Sequence, residues 1–238
     1  MIKVHGLSKS FNGQKVLDGI DLDVATGEIV AVLGPSGTGK SVLLLNLIGL
    51  MAPDSGEVDI DGVQVSRLPE RDLLKFRRNV GYLFQDSALY DFMTVEENLA
   101  FPLREHGQFK SDEIKNRVRT FLAMVDMADA GMKYPSELSG GMRKRAALAR
   151  AIVTSPKVLL CDEPTSGLDP IRSRDISLLI RDLSKKMSCT TVITTHDVKN
   201  AFFCADRAIV LYSGRVVAQG VEKELRALIH PFVKEFLE

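Results

Sequence analysis

Glu28-Ile29-Val30-Ala31-Val32-Leu33-Gly34-Pro35-Ser36-Gly37-Thr38-Gly39-Lys40-Ser41 decides the reading of this chain. The unbroken apolar run up to Leu33 predicts a strand buried on both faces. It leads straight into a glycine-rich turn, after which Lys40 to Leu50 reads as a helix. The turn matches GxxxxGK[ST] and sits between a strand and a helix, the context that motif requires. Glycines let the backbone wrap close to phosphate oxygens, and successive N–H groups plus the helix N-terminus supply partial positive charge. Lys40 is expected to reach the β- and γ-phosphates of a nucleotide, and Ser41 to ligate Mg²⁺. Gly34, Pro35, Ser36, Gly37, Thr38, Gly39 and Val42 complete the expected phosphate cradle.

A second acidic element is needed for the metal, and Val158-Leu159-Leu160-Cys161-Asp162-Glu163 supplies it. The apolar residues predict a buried strand, and Asp162 emerges at its C-terminal end, where open α/β sheets bind ligands. Asp162 is expected to hold Mg²⁺ directly or through water. Glu163 stands where it can orient or deprotonate an attacking water. Read alone, a charged pair after an apolar run is also ordinary strand termination.

Around these two stretches the chain alternates strand and helix. Ile20, Leu22 and Val24 alternate with Asp21 and Asp23 as in a half-buried strand. Glu57 to Ile60 reads as a short strand ending at the turn signal Asp61-Gly62, and Val80 to Phe84 as another. Thr94 and Glu97 have capping-box spacing. Ile114, Val118, Phe121, Leu122 and Val125 recur at helical spacing, and a helix is expected from Met142 to Thr154. Thr191 to Thr194 and Ala208 to Tyr212 are further strands, and Arg174 to Lys186 a covering helix. This order predicts an α/β fold with a mainly parallel sheet. It divides into a core at 1–86 and 157–222, an inserted helical lobe at 87–156 and a tail at 223–238. The tail carries Phe232, Val233, Phe236 and Leu237 at helical spacing and is expected to dock on its own domain.

Composition narrows the function. The 238 residues are 45% hydrophobic and 26% charged, and 31 basic residues balance 31 acidic ones, so global charge gives no argument for nucleic acid. Arg143, Lys144, Arg145 and Arg150 are accordingly read as a solvated helix face with internal ion pairs. Cys161, Cys189 and Cys204 lack metal or redox spacing and read as reduced thiols of a cytosolic protein. The first residues lack an apolar signal segment. The longest apolar stretch, Val42 to Ala52, is interrupted by Asn46 and Gly49 and falls short of the roughly 20 residues a bilayer span needs.

Leu138-Ser139-Gly140-Gly141-Met142 resembles the signature of the nucleotide-binding subunits of ABC transporters, usually LSGGQ, and the resemblance covers essentially the whole chain. It implies an ABC ATPase fold: a RecA-like, mainly parallel core, an N-terminal antiparallel portion and an inserted helical subdomain. Gln85 matches the family's Q-loop glutamine, which senses Mg²⁺ and the attacking water. Ser166-Gly167-Leu168-Asp169 matches the D-loop, His196 the switch histidine, and Phe11 the aromatic that stacks on adenine. From physics alone, Phe11 reads as a core aromatic. Asp169 is expected to position groups across a dimer. In the family, Ser139, Gly140 and Gly141 face the γ-phosphate held by the opposite subunit, so two ATP molecules lie between two chains arranged head to tail. Met142 departs from the usual glutamine and leaves the serine and both glycines intact.

The stretches 37–44, 83–89, 93–106 and 135–145, with Met142 and with Val42 after Ser41, are more specifically similar to the ATPases of MCE-associated lipid transporters, including the Mla phospholipid system. That resemblance implies permease subunits, an MCE-domain protein, possible company of a STAS-domain protein, glycerophospholipid cargo, and a peripheral position on the cytoplasmic face of the membrane, with no direct nucleic-acid contact. The segment Asp86 to Pro102 is then the expected contact with the permease. Alternatives are another importer class, a cell-division or other non-transport regulator, and an ATP-gated scaffold with little turnover.

Overall fold

The computed structural model describes all residues from Met1 to Glu238. Ten strands and nine α-helices form two sheets and their covering layers. The strands are β1 (Ile2–Phe11), β2 (Gln14–Val24), β3 (Ile29–Leu33), β4 (Ser55–Ile60), β5 (Val63–Gln64), β6 (Val80–Leu83), β7 (Val158–Asp162), β8 (Thr190–Thr195), β9 (Arg207–Tyr212) and β10 (Arg215–Gly220). The helices are α1 (Lys40–Leu47), α2 (Glu70–Arg77), α3 (Val95–His106), α4 (Ser111–Met124), α5 (Gly140–Ile152), α6 (Pro170–Lys186), α7 (Val198–Cys204), α8 (Glu222–Ala227) and α9 (Pro231–Leu237).

The larger sheet has the order β10-β9-β3-β8-β7-β6, parallel except for the β9–β10 hairpin. Its strand β3 is buried throughout, as its unbroken apolar run requires. Alternation sends Ile29, Ala31 and Leu33 into one apolar cluster and Val30 and Val32 into another. β7 splits the same way, with Leu159 and Cys161 on one side and Val158 and Leu160 on the other. The first cluster takes in α3 to α7 and reaches Leu225 of α8 and Val233 and Leu237 of α9. The second is closed by α1, α2 and the antiparallel sheet β2-β1-β4-β5. Ile20, Leu22 and Val24 point into that second cluster while Asp21 and Asp23 stay exposed.

Tight turns join the antiparallel strands. Asn12-Gly13, Asp61-Gly62 and Ser213-Gly214 all have positive φ at both positions, the geometry that matches the twist of two-residue hairpins. The last of these also ties the sheets together, because Gly214 O accepts from Asp18 N at 2.8 Å.

Several boundaries differ from expectation. α1 stops at Leu47 rather than Leu50, since Gly49 turns left-handed at φ 68°. α6 begins at Pro170, four residues before Arg174, because Asp169 caps it and proline is favoured in a first turn. β1, α2, β10 and α8 are elements that hydrophobic periodicity had not marked. The expected capping box of α3 is present. Thr94 Oγ1 accepts from Glu97 N at 3.3 Å and Glu97 Oε2 accepts from Thr94 N at 2.8 Å. Thr94→Ala removes half of it and should lower the melting temperature by roughly 3 °C, read by thermal denaturation.

The tail packs in cis. Val233 and Leu237 are buried, and Phe232 stacks on Tyr212 with ring centroids 3.8 Å apart. No helix is long and apolar enough to cross a membrane. All three cysteines are free and buried, and burial pushes the Cys189 and Cys204 thiols up to about 12, which keeps them protonated.

Candidate functional site

The parallel register aligns the C-terminal ends of four adjacent strands. Leu33 pairs with Thr195, Asp162 with Thr194, and Leu83 with Cys161. The residues just past those ends therefore meet at one sheet edge, the ligand-binding edge of open α/β folds. A cavity of about 360 Å³ lies there, lined by Val16, the loop residues Ser36, Gly37, Gly39, Lys40 and Ser41, and Val42, Gln85, Glu163, Ser166 and His196. A larger cavity of about 680 Å³ lies in the helical lobe between α3 and α4, away from these groups.

The Gly34–Gly39 turn is compact for steric reasons. A Cβ on Gly34 would sit 2.4 Å from Leu211 O. Gly39 has φ 96°, and a Cβ there would meet Val16 O at 2.8 Å. Gly39→Ala should thus combine backbone strain with a clash and cost roughly 2 kcal/mol, measurable by urea unfolding. Thr38 Oγ1 braces the loop by donating to Pro35 O at 2.9 Å.

Inside this loop the Lys40 ammonium is almost fully buried. Its Nζ donates to Gly34 O at 2.9 Å and Pro35 O at 3.0 Å and forms an ion pair with Glu163 Oε1 at 3.2 Å. The other carboxylate oxygen of Glu163 lies 2.9 Å from His196 Nδ1. Glu163 holds φ 43°, a conformation that costs a non-glycine residue about 1–3 kcal/mol. Two bonds keep it there: its N–H reaches Thr194 O at 3.0 Å and Thr194 Oγ1 at 3.2 Å. The left-handed turn sends Glu163 toward Lys40 and His196, while Asp162 faces Ser41.

Ser41 Oγ donates to Asp162 Oδ1 at 2.9 Å, and Thr194 Oγ1 donates to the same oxygen at 2.6 Å. Two oxygens bound side by side to one octahedral Mg²⁺ at about 2.1 Å stand about 3 Å apart. The Ser41–Asp162 pair therefore fits magnesium, with a carboxylate and a hydroxyl as hard oxygen donors and phosphate or water to complete the shell. Burial, with the Asp162 charge beside it, holds the Tyr82 phenol above its usual range and so uncharged.

Other expected site residues lie apart from this cluster. Phe11 ends β1 at the hairpin, 41% exposed, with Lys9 Nζ 5.8 Å from its ring centre. It is not packed in the core. Asp169 is an N-cap: its Oδ1 accepts from Ile171 N at 3.1 Å and Arg172 N at 3.0 Å. Ser139 caps α5, accepting from Met142 N at 3.3 Å, and Gly140 and Gly141 form the first helical positions. None of Ser139, Gly140 and Gly141 lines the cavity around Lys40. Their outer face is open, since a Cβ on Gly140 or Gly141 meets one side-chain carbon each, at 3.4 and 3.7 Å. Met142 packs its side chain against the main apolar cluster.

The basic run on α5 corrects the solvated-face reading in part: Arg143 is exposed and Arg145 keeps an ion pair, whereas Lys144 and Arg150 turn inward. Arg143 donates to Leu138 O at 2.7 Å, and Arg145 to Val125 O at 3.0 Å and Asp126 Oδ2 at 2.8 Å. Lys144 is 6% exposed and donates to Gln85 O. Arg150 donates to Ala88 O at 2.6 Å and Ser87 O at 3.0 Å. Their targets are mostly carbonyls of distant turns, which helical charge spacing does not reveal. Thr194 was also missed. The buried threonines at 190, 191, 194 and 195 in an otherwise apolar strand were the available signal.

Comparison with known proteins gives a consistent picture. The family model described as "ABC transporter" matches residues 17–166. The probable ribonucleotide transport ATP-binding protein mkl of Mycobacterium leprae is 43% identical over 236 residues, covering 99% of this chain and 68% of that protein. This chain spans about two thirds of the length of such mycobacterial relatives. The methionine import ATP-binding protein MetN of Carboxydothermus hydrogenoformans is 42% identical, with 100% of this chain and 71% of that protein covered. The intermembrane phospholipid transport system ATP-binding protein MlaF of Haemophilus influenzae is 38% identical, with 94% and 85% covered. Among solved structures, a dimeric post-hydrolysis state of the ATP-binding cassette MJ0796 bound to ADP and Pi has a TM-score of 0.85 at 32% identity, covering 93% of this chain and 98% of the other.

Proposed function

The chain belongs to the ABC transporter family as an ATP-hydrolysing domain, and we propose that it drives a membrane lipid transporter of the Mla type by ATP-dependent closure of two copies. The observation that carries the chemistry is the single cavity into which Lys40, Ser41, Glu163, Gln85 and His196 converge.

In this reading the core is 1–86 with 157–222, the helical signature lobe is 87–156, and 223–238 is a tail. Residues 34–42 cradle the phosphates and Phe11 stacks on the adenine. Ser41 and Asp162 would hold Mg²⁺, with Gln85 sensing it, and the ion would supply positive charge against the phosphate oxygens. Lys40 exchanges its ion pair with Glu163 for phosphate oxygens, which carry more negative charge than one carboxylate. That frees a Glu163 oxygen to accept a proton from water. His196 keeps its hold on the other oxygen and points the carboxylate. Asp169 steadies the turn before α6.

Half of this site is missing from one chain. Ser139, Gly140 and Gly141 form an open helix N-terminus, suited to an anion, yet lie off the cavity around Lys40. A second copy, placed head to tail, brings that N-terminus to the first copy's γ-phosphate, and two-fold symmetry completes both sites at once. Integral-membrane permease subunits then receive the motion through the surface at 86–102, and the chain sits peripherally on the cytoplasmic face. An MCE-domain protein, with or without a STAS-domain protein, completes the assembly.

The lipid reading is supported by the MlaF relative and by Met142, which the core packing accommodates. The methionine-import relative supports a second reading, an importer served by a soluble binding protein. Gentle membrane extraction followed by identification of the bound subunits separates them. Copurification with an MCE-domain protein is expected, and a soluble solute-binding protein in its place sinks the lipid assignment. Mass measured during turnover tests the paired site. A preparation that hydrolyses ATP at full rate while staying monomeric overturns it.

A further inference from the structure

The turn after β6 is held in an unusual way. Ser87 and Ala88 are consecutive non-glycine residues with positive φ, 66° and 47°. Each such residue costs about 1–3 kcal/mol unless its surroundings impose the conformation. The carbonyls of this turn go to side chains rather than to a ladder. Gln85 O accepts from Lys144, while Ser87 O and Ala88 O accept from Arg150. Downstream, the buried Asn98 accepts from Tyr90 N at 2.8 Å and donates to Tyr90 O at 3.1 Å and Met93 O at 3.2 Å.

The two cations are costly to place there. Lys144 is 6% exposed, and burial pulls its ammonium below the usual lysine range even with Asp86, Glu163 and Asp162 opposing the shift. Burial acts on Arg150 in the same direction. A buried cation that spends its hydrogen bonds on carbonyls of a strained turn fixes that turn in place. Both cations come from α5, the helix whose first residues are Gly140 and Gly141.

We propose that Lys144 and Arg150 are positioning residues for ATP hydrolysis: by clamping the left-handed turn 85–88 onto α5, they set where Gln85 stands in the nucleotide cavity. One rigid helix then carries Ser139 toward the partner copy's nucleotide and holds Gln85 at its own. Displacement of α5 by one nucleotide moves Gln85 at the other. This rests on the ATPase reading and on the role given there to Gln85.

The test is a double-mutant cycle on the full chain. Phosphate release and ATP affinity are measured for wild type, Lys144→Met, Gln85→Ala and the pair, with Glu163→Gln as the control that assigns the turnover to this site. Methionine keeps the length and burial of Lys144 without its charge, and melting curves confirm that each variant folds. Lys144→Met should lower kcat about tenfold, below the hundredfold that a 1 Å misplacement can cost, with ATP affinity within twofold of wild type. In the Gln85→Ala background the same substitution should change kcat less than twofold. Arg150→Lys, which loses the two-pronged grip but keeps the charge, should lower kcat in the same way, giving a second readout should Lys144→Met fail to fold. Multiplicative loss in the double variant, or a Lys144→Met defect confined to ATP affinity, overturns the clamp and leaves the ATPase reading standing. Turnover unaffected by Glu163→Gln overturns the ATPase reading instead.

Discussion

Glu163→Gln is expected to suppress ATP hydrolysis by on the order of 10²- to 10⁴-fold while ATP remains bound and a closed dimer accumulates. Glutamine keeps the shape of the side chain, so it can still touch water, but its amide oxygen has no useful basicity. The substitution also removes a buried negative charge 3.2 Å from Lys40 and close to where the triphosphate must lie. Binding is therefore retained while the proton-accepting step is lost. The backbone is not disturbed further, since φ 43° is no worse for glutamine than for glutamate. Phosphate release and light-scattering mass, measured together with Mg·ATP, check both halves. Turnover near the wild-type rate removes Glu163 from the role of base.

Lys40→Ala is expected to act twice, once in each state of the protein. With nucleotide, it removes a charge-assisted contact to phosphate worth about 2–3 kcal/mol, so ATP affinity should fall roughly 100-fold. Without nucleotide, it strands the Glu163 carboxylate, itself 8% exposed, beside His196 alone. Breaking a buried pair in this way costs about 3 kcal/mol. Calorimetric titration reads the first effect and thermal unfolding the second. The double variant with Glu163→Gln should recover most of the lost stability and none of the lost affinity. If stability does not return, the Lys40–Glu163 pair is not what the single substitution broke.

These two residues also show why the sequence was informative here. Lys40 is legible because the phosphate loop is local: strand, turn and helix occupy consecutive residues, although Gly34 and Gly39 also answer to remote carbonyls, Leu211 O and Val16 O. The α3 capping box is legible for the same reason, since Thr94 and Glu97 are three residues apart. Of the hairpin turns, only Asp61-Gly62 was read from the sequence. Asn12-Gly13 and Ser213-Gly214 carry the same turn chemistry at β1–β2 and β9–β10 but were passed over, and β1 and β10 were not assigned from periodicity. Their apolar and polar residues do not alternate cleanly, as strands with bulges and mixed exposure rarely do.

The basic run on α5 misled for a physical reason. Helical spacing places charges on faces, but it does not say what those faces meet. Lys144 reaches a carbonyl 59 residues earlier in the chain and Arg150 one 62 residues earlier. A neutral composition made a solvated face the natural reading, and packing against the turn after β6 overrode it.

Taken by itself, the sequence determined the local chemistry: the loop that wraps phosphate, the acidic pair at a strand end, the capped helices, and through their order the ABC resemblance. Only the tertiary structure decided which remote groups share one cavity. Ser41 meets Asp162 across 121 residues, Glu163 is turned toward Lys40 and His196, and Ser139 is kept off that cavity with an open face. The reason is that turns and caps are settled by sterics over three or four residues, whereas the placing of β3 beside β8 and β8 beside β7 is settled by burying both faces of a sheet at once.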